Sequence, residues 1–267
     1  MKYSIITINY NNRDGLERTI QSVINQTCLD YEYIIIDGGS TDGSVDIIKK
    51  YADRIDYWVS EPDKGIYNAM NKGVLQAHGD YVNFMNSGDC FYDNNVLEVV
   101  RNLLYTDIVV GKCYYEGGLH GFSKQDITLL DLYKCHLQHQ ASFIYRELQI
   151  KYPYDENLKI ISDWKFFVQS LIFDNASFSN VDIIICDYES NGISKRFSFL
   201  IEKEKIQVLS SLFPPRLLKD YNDFYCLDYP LSQLVSQFGN AGKFKTIIYH
   251  LLRMLIKMRE LYNKLFK

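Results

Sequence analysis

The chain has 267 residues, of which 47% are hydrophobic and 23% charged, with a formal net charge of -4. That is enough apolar material for one large domain or a domain with an appendage, and the acidic balance excludes wholesale nucleic-acid binding. The six cysteines are scattered with no CxxC pair, which excludes a disulfide framework and a cysteine zinc site and points to a reducing compartment.

In chain order, the apolar run Ser4–Asn9 predicts a first strand, and the polar turn 10–14 leads to Leu16, Ile20, Val23 and Ile24 at helical spacing. Residues 31–36 predict a second strand that empties into Asp37-Gly38-Gly39, and a helix follows from Ser44. A short third strand over 55–59, a link through Pro62-Asp63-Lys64-Gly65 and a helix carrying Tyr67, Met70, Val74 and Leu75 come next. A fourth strand, 81–85, ends at Asn86-Ser87-Gly88-Asp89. This alternation within ninety residues predicts an α/β fold: a single, mostly parallel nucleotide-binding sheet flanked by helices.

Beyond Asp93 the pattern predicts a helix over 96–104, a strand over 108–111, strands or a hairpin in the glycine-rich stretch 111–123, and an ambiguous segment 125–137. A strand is expected over 139–144, a helix over 162–172, a strand over 181–186 and a loop over 189–194. From Ser198 the chain reads as helical, broken by Pro214-Pro215 and Pro230. The expected organisation is a catalytic domain over 1–197, with a nucleotide-binding half over 1–92 and an acceptor-side half over 93–197. A helical extension is expected over 198–267.

Two carboxylates stand out because each follows a buried-looking strand and sits among small residues. Asp37 can accept hydrogen bonds from a nucleobase or ribose, and it suits turn capping equally well. Asp89 lies beside Gly88 after an almost wholly apolar strand. A divalent cation there would let a carboxylate approach a diphosphate that otherwise repels it. Asp163 precedes a predicted helix, where capping is its ordinary duty. His136 and His139 could approach one another only on a helix, so their spacing supports no zinc site.

The ordered series Ile5–Asn11, Ile36–Gly43, Asp63–Gly73, Gly79-Asp80-Tyr81 and Asn86–Asp89 resembles the large family of inverting, nucleotide-sugar-dependent glycosyltransferases of the GT-A fold. Within that family it is similar to bacterial family 2 enzymes of exopolysaccharide, lipopolysaccharide and colanic-acid assembly. The resemblance implies a metal-dependent transfer of a sugar from a UDP-sugar to a hydroxyl of a saccharide or lipid-linked acceptor. It places Thr7, Asn9, Asp37 and Asp63 against the nucleotide, and Asp89 on Mn2+ or Mg2+. Asp163, in Ile161-Ser162-Asp163-Trp164, takes the place of the catalytic base. Asn86, His139, Gln140, Trp164, Ser194, Lys195 and Arg196 are implied as donor or acceptor contacts. Where the family commonly carries a further aspartate, this chain has Asn86 or Gly88. A sugar nucleotidyltransferase and a non-catalytic nucleotide-sugar-binding module are the competing readings.

Residues 243–267 hold seven basic residues and one acid interleaved with apolar ones. This pattern suits a helix lying on an anionic membrane surface, and equally one packed on the catalytic domain or on a second copy in a homodimer. Met1 to Ile6 enters a strand directly, leaving no room for a signal peptide, and no apolar run reaches bilayer length. The expected location is cytoplasmic, with peripheral attachment to the inner face of the cytoplasmic membrane through the tail.

Overall fold

Strand β1 (Tyr3–Asn9) is buried along its whole length and forms the spine of the molecule. Its run of β-branched residues suits a pleated surface covered on both sides. The computed structural model describes residues 2–188, 198–221, 250–251 and 253–254. β1 pairs in parallel with β2 (Tyr31–Asp37) on one side and with β4 (Tyr81–Phe84) on the other. β3 (Tyr57–Ser60) adds in parallel outside β2.

The sheet then changes character. β8 (Ser142–Tyr145) runs antiparallel to β4, and β6 (Ile108–Tyr115) runs antiparallel to β8. β9 (Phe178–Asp187) lies parallel to β6, the two-residue β5 (Cys90–Phe91) closes antiparallel on β9, and β7 (Gly118–His120) forms a hairpin with β6. The order is β3-β2-β1-β4-β8-β6-β9-β5, with β7 beside β6. Two reversals return β6 and β9 to the direction of β4. The C-terminal ends of β1, β2, β3, β4, β6 and β9 and the N-terminal end of β8 therefore share one edge of the sheet. An open α/β sheet binds its ligands at that edge, where strand order reverses between β1 and β4.

Helices cover both faces. Leu16, Ile20 and Val23 of α1 (Arg13–Ile24), Ile47 and Ile48 of α2 (Ser44–Lys50), and Val96, Leu97 and Val100 of α4 (Val96–Arg101) join Tyr3, Ile5, Tyr33 and Ile35 in one buried cluster. The opposite face of β1 and β2 carries α3 (Ile66–Gln76). A Cβ on Gly73 would lie 2.5 Å from Ile6 Cγ2, so this residue sets how closely α3 approaches the sheet. Each aliphatic side chain buried in this way stabilises the fold by roughly 1.5–3 kcal/mol before chain entropy is charged against it.

The ambiguous segment resolves into α5 (Leu129–Lys134), started by a capping box between Thr128 and Asp131. The strand expected over 139–144 is shorter than its sequence suggested. His139–Ala141 form a 3-10 turn, and β8 begins only at Ser142. α6 (Arg146–Lys151) follows β8, and α7 (Ser162–Phe167) continues as a wider π-type turn over Val168–Phe173. These elements match the GT-A expectation of one sheet between helices, followed by helical chain.

Two compact units divide the chain, Met1–Val208 and Leu209–Lys267. The helix α8 (Ser198–Leu212) gives way at residues 213–214, and residues 215–221 are again helical, as the Pro214-Pro215 break predicts. Glu204 accepts hydrogen bonds from the backbone N–H groups of Lys159 and Ile160, which ties α8 to the segment before α7. Most of the basic tail and the loop carrying Ser194, Lys195 and Arg196 lie outside the described residues. Among the described residues, no helix is long and apolar enough to cross a membrane.

Candidate active site

The first acid, Asp37, ends β2 with no exposed surface. Its Oδ1 accepts from Asn9 Nδ2 at 2.7 Å and Ser40 Oγ at 2.6 Å. Its Oδ2 accepts from Ser60 Oγ at 2.6 Å and from the backbone N–H groups of Ser40 at 2.9 Å and Gly39 at 3.2 Å. Burial opposes ionisation, but the bonds from Ser40, Ser60 and Asn9 outweigh it and hold the carboxyl below its usual range. Five donors saturate a carboxylate. In this arrangement Asp37 shapes the loop that follows it, and neither oxygen remains for a ligand.

Thr7 is likewise spent inside the sheet. Its hydroxyl donates to the Met85 carbonyl at 2.7 Å and lies 2.9 Å from the Tyr33 hydroxyl, with no exposed surface. The sequence placed it against a nucleoside, whereas β1 directs it into the interior. Asn9 is buried too, with its Nδ2 on Asp37 and its Oδ1 without a partner.

Asp63 stands at the surface of the same loop cluster. A Cβ on Gly38 would fall 2.5 Å from Asp63 Oδ2 and 3.1 Å from a Tyr10 ring carbon. Glycine at 38 therefore lets the two loops close on each other. Asp63 Oδ1 accepts from the Gly65 N–H at 2.8 Å. Tyr10, 67% exposed, offers an open aromatic face beside Asp63. The sequence marks Tyr10 only as part of the polar turn 10–14.

The turn 10–13 joins this cluster to the second acid. On one side Asn11 N–H donates to Ser40 Oγ and Arg13 N–H to Asp42. On the other, Asn12 Nδ2 donates to the Ser87 carbonyl at 3.1 Å, while its Oδ1 caps α1 through the Gly15 N–H. The loop 86–89 is then pinned by Thr19 of α1. The Thr19 hydroxyl donates to the Asp89 carbonyl at 2.7 Å and accepts the Gly88 N–H at 3.0 Å. Gly88 has φ +106°, a conformation that disfavours other residues. Asp89 is itself 7% exposed. Thr19 carried no sequence signal, because it sits among the polar residues of an amphipathic helix.

The third acid is joined to this loop through His139. Asp163 opens α7, and its Oδ2 lies 2.9 Å from His139 Nδ1. Its Oδ1 accepts from the Trp164 N–H at 2.9 Å and from the Tyr67 hydroxyl of α3 at 3.3 Å. The other imidazole nitrogen of His139, Nε2, lies 3.0 Å from Asn86 Nδ2. The 3-10 turn before β8 delivers His139 to this position, which an extended strand would not have done. Burial works against the Asp163 charge, but the hydrogen bond from His139 outweighs it, and the pKa lies below the ordinary carboxylate value. The side chain keeps 18% exposure.

A line of hydrogen-bonded and chain-adjacent groups thus runs along one edge from Asp37 through Asn9, Ser40 and the turn 10–13 to Ser87 and its neighbour Asn86, and on through His139 to Asp163. Trp164 does not belong to this line. It is 1% exposed, its indole N–H donates to the Leu132 carbonyl at 2.7 Å, and it anchors α7 in the core instead of facing a ligand. Gln140 contributes its carbonyl to Asn83 Nδ2 at 3.0 Å. Helical spacing marks Tyr67 only as a residue of the α3 helix, and in the structure its hydroxyl reaches Asp163.

Residues 4–172 match the model of Glycosyl transferase family 2, and the chain belongs to that family. It is a glycosyltransferase. A curated relative, an uncharacterized glycosyltransferase of Mycobacterium tuberculosis, is 31% identical over 71% of this chain and 76% of its own length. A PGL/p-HBAD biosynthesis glycosyltransferase of Mycobacterium bovis is 28% identical over 78% of this chain and 83% of its own. Among solved structures, glucosyl-3-phosphoglycerate synthase of Mycobacterium tuberculosis, in complex with Mn2+, uridine diphosphate and phosphoglyceric acid, superposes with a TM-score of 0.55. It is 19% identical, over 79% of this chain and 78% of that one.

Proposed function

We propose that this chain is a divalent-metal-dependent, inverting glycosyltransferase. It moves a sugar from a UDP-sugar to a hydroxyl of a saccharide or lipid-linked saccharide in the assembly of cell-surface glycans. The observation that carries this reading is the Asp163 carboxylate. It is partly exposed, held as an anion, and connected by hydrogen bonds to the loop that bears Asp89.

A general base for inversion must stand within hydrogen-bond reach of the acceptor hydroxyl, on the face of the sugar away from the leaving diphosphate. Asp163 takes the hydroxyl proton as the acceptor oxygen bonds to the anomeric carbon and the bond from that carbon to the diphosphate breaks. Its lowered pKa keeps it ready to accept a proton at neutral pH. No covalent sugar intermediate forms.

The donor is held by the cluster at the ends of β1 to β4. Tyr10 and Asp63 offer an aromatic face and a carboxylate edge to the base, while Asp37 and Asn9 keep the loops in shape around it. Asn86, on the loop that bears Asp89, sets its carboxamide nitrogen 3.0 Å from His139 Nε2, between the donor side and the base. Mn2+ and Mg2+ take oxygen ligands, and Asp89 offers one carboxylate. Among the described residues no three His, Cys, Asp or Glu side chains converge, and a hard cation shared with a diphosphate needs only one or two carboxylates. Asp89 would hold it, and when bound it neutralises charge on the departing diphosphate. The resemblance of the N-terminal half, the M. bovis PGL/p-HBAD biosynthesis relative and the UDP- and Mn2+-bound fold neighbour support these choices.

Proton NMR of the product formed from an α-linked UDP-sugar tests the reading. A β-linked product, formed with Mn2+ and abolished by a chelator, is expected. Retained configuration would refute in-line displacement, and full activity in chelator would refute the metal.

A further inference from the structure

His139 bridges two protein side chains. Its Nδ1 lies 2.9 Å from Asp163 Oδ2, and its Nε2 lies 3.0 Å from Asn86 Nδ2. A carboxamide nitrogen only donates, so Nε2 must present its lone pair and the single imidazole proton sits on Nδ1, facing Asp163. Turning the Asn86 amide over would place two N–H donors where Oδ1 now lies buried without a partner. It would also demand a doubly protonated imidazole, so the observed orientation is the cheaper one. Asp163 Oδ1 is occupied by Tyr67 and the Trp164 N–H, so both oxygens are aimed by neighbours before any acceptor arrives.

We propose that Asn86 and His139 form a positioning pair for Asp163, in which the carboxamide of the donor-side loop fixes the imidazole tautomer and the imidazole N–H fixes the carboxylate. This rests on the reading of Asp163 as the base. It gives a physical reason for asparagine at 86. A carboxylate there would ask Nε2 for a proton and leave an imidazolium between two acids. The cation would hold the Asp163 charge too tightly for a base. Because Asn86 belongs to the same loop as Asp89, the pair also ties the base to the loop that faces the donor.

The ionisable groups around Asp163 are Tyr67 on α3, Tyr154 in the segment before α7, and His136 and His139 before β8, with Lys205 of α8 beyond His136. His139 is the strongest of the influences that lower the Asp163 pKa. Its removal should therefore be visible in a pH profile as well as in rate.

The experiment compares His139→Ala, His139→Asn and Asp163→Asn, measuring kcat, donor KM and the acid limb of kcat/KM, with UDP binding by calorimetry as the check on folding. His139→Ala is expected to lower kcat roughly tenfold to a hundredfold, the cost of a misplaced catalytic group. Its donor KM should stay within about twofold, and its acid limb should move to higher pH. His139→Asn places a neutral N–H donor near the position of Nδ1 and should recover most of the rate and of the limb. Wild-type rate and limb in His139→Ala would overturn the proposal, and so would a loss of UDP binding equal to the loss of rate. A His139→Asn variant as impaired as His139→Ala would overturn it as well. Asp163→Asn separates the two levels of the argument. If that variant stays active, the base assignment itself falls; if it is inactive while His139→Ala is normal, only the positioning pair falls.

Discussion

The two halves of the sheet edge spend their polar side chains differently. In the parallel half, Thr7, Asn9, Asp37 and Thr19 are buried and committed to neighbouring loops. In the mixed half, Asp163 and His139 keep partial exposure while being held from behind. Buried polar groups that are fully paired rigidify a structure, whereas a carboxylate with surface and lone pairs to spare can act on a substrate. On the proposed reading, the sequence motifs of the parallel half describe how the donor cleft is built, and the chemistry is assigned to one acid from the other half.

That contrast predicts structural effects from mutations in the first half. The largest belongs to Asp37. Replacing it with alanine strands the hydroxyls of Ser40 and Ser60 and the Asn9 amide, and is expected to cost about 3 kcal/mol of stability in denaturant unfolding, with donor affinity falling alongside. An Asp37→Ala variant with native stability would place the carboxylate among ligand-facing groups after all. Because Asp37 titrates below its unfolded value, its stabilising contribution is complete above the unfolded pKa of roughly 4. It is lost as pH falls through the lower folded value. Wild-type stability should accordingly decline below about pH 4, and part of that decline should vanish in Asp37→Asn.

A smaller effect is expected from Thr19→Val, which keeps the shape of the side chain while removing the hydroxyl that joins α1 to Gly88 and Asp89. About 1–2 kcal/mol of stability should be lost, together with a weaker response of donor binding to Mn2+. An unchanged metal response would mean that the loop keeps its shape without α1.

How far the sequence revealed this arrangement follows from the same division. The parallel half alternates apolar strands with helices at regular spacing, so β1 to β4, α1 to α3 and the positions of Asp37, Asp63 and Asp89 were all legible. The mixed half was harder to read. β5 has two residues, too few for any periodic signal, and α5 is announced only by the Thr128–Asp131 box. His139 read as strand because Ala141–Tyr145 is apolar, although the three residues from His139 coil into a 3-10 turn. Trp164, beside the candidate base, suits a ligand contact by sequence alone, but its bond to Leu132 and its burial place it in the core. Sequence pattern reports burial and period, but it does not say which partner a polar side chain has already taken.

Side-by-side measurement of turnover and UDP-sugar binding in Asp163→Asn tests the division of labour most directly. Turnover should drop by at least about a hundredfold while the donor dissociation constant stays within about twofold of wild type, since only the proton acceptor is removed. A variant that loses donor binding in step with turnover, or one that keeps turning over, would contradict it.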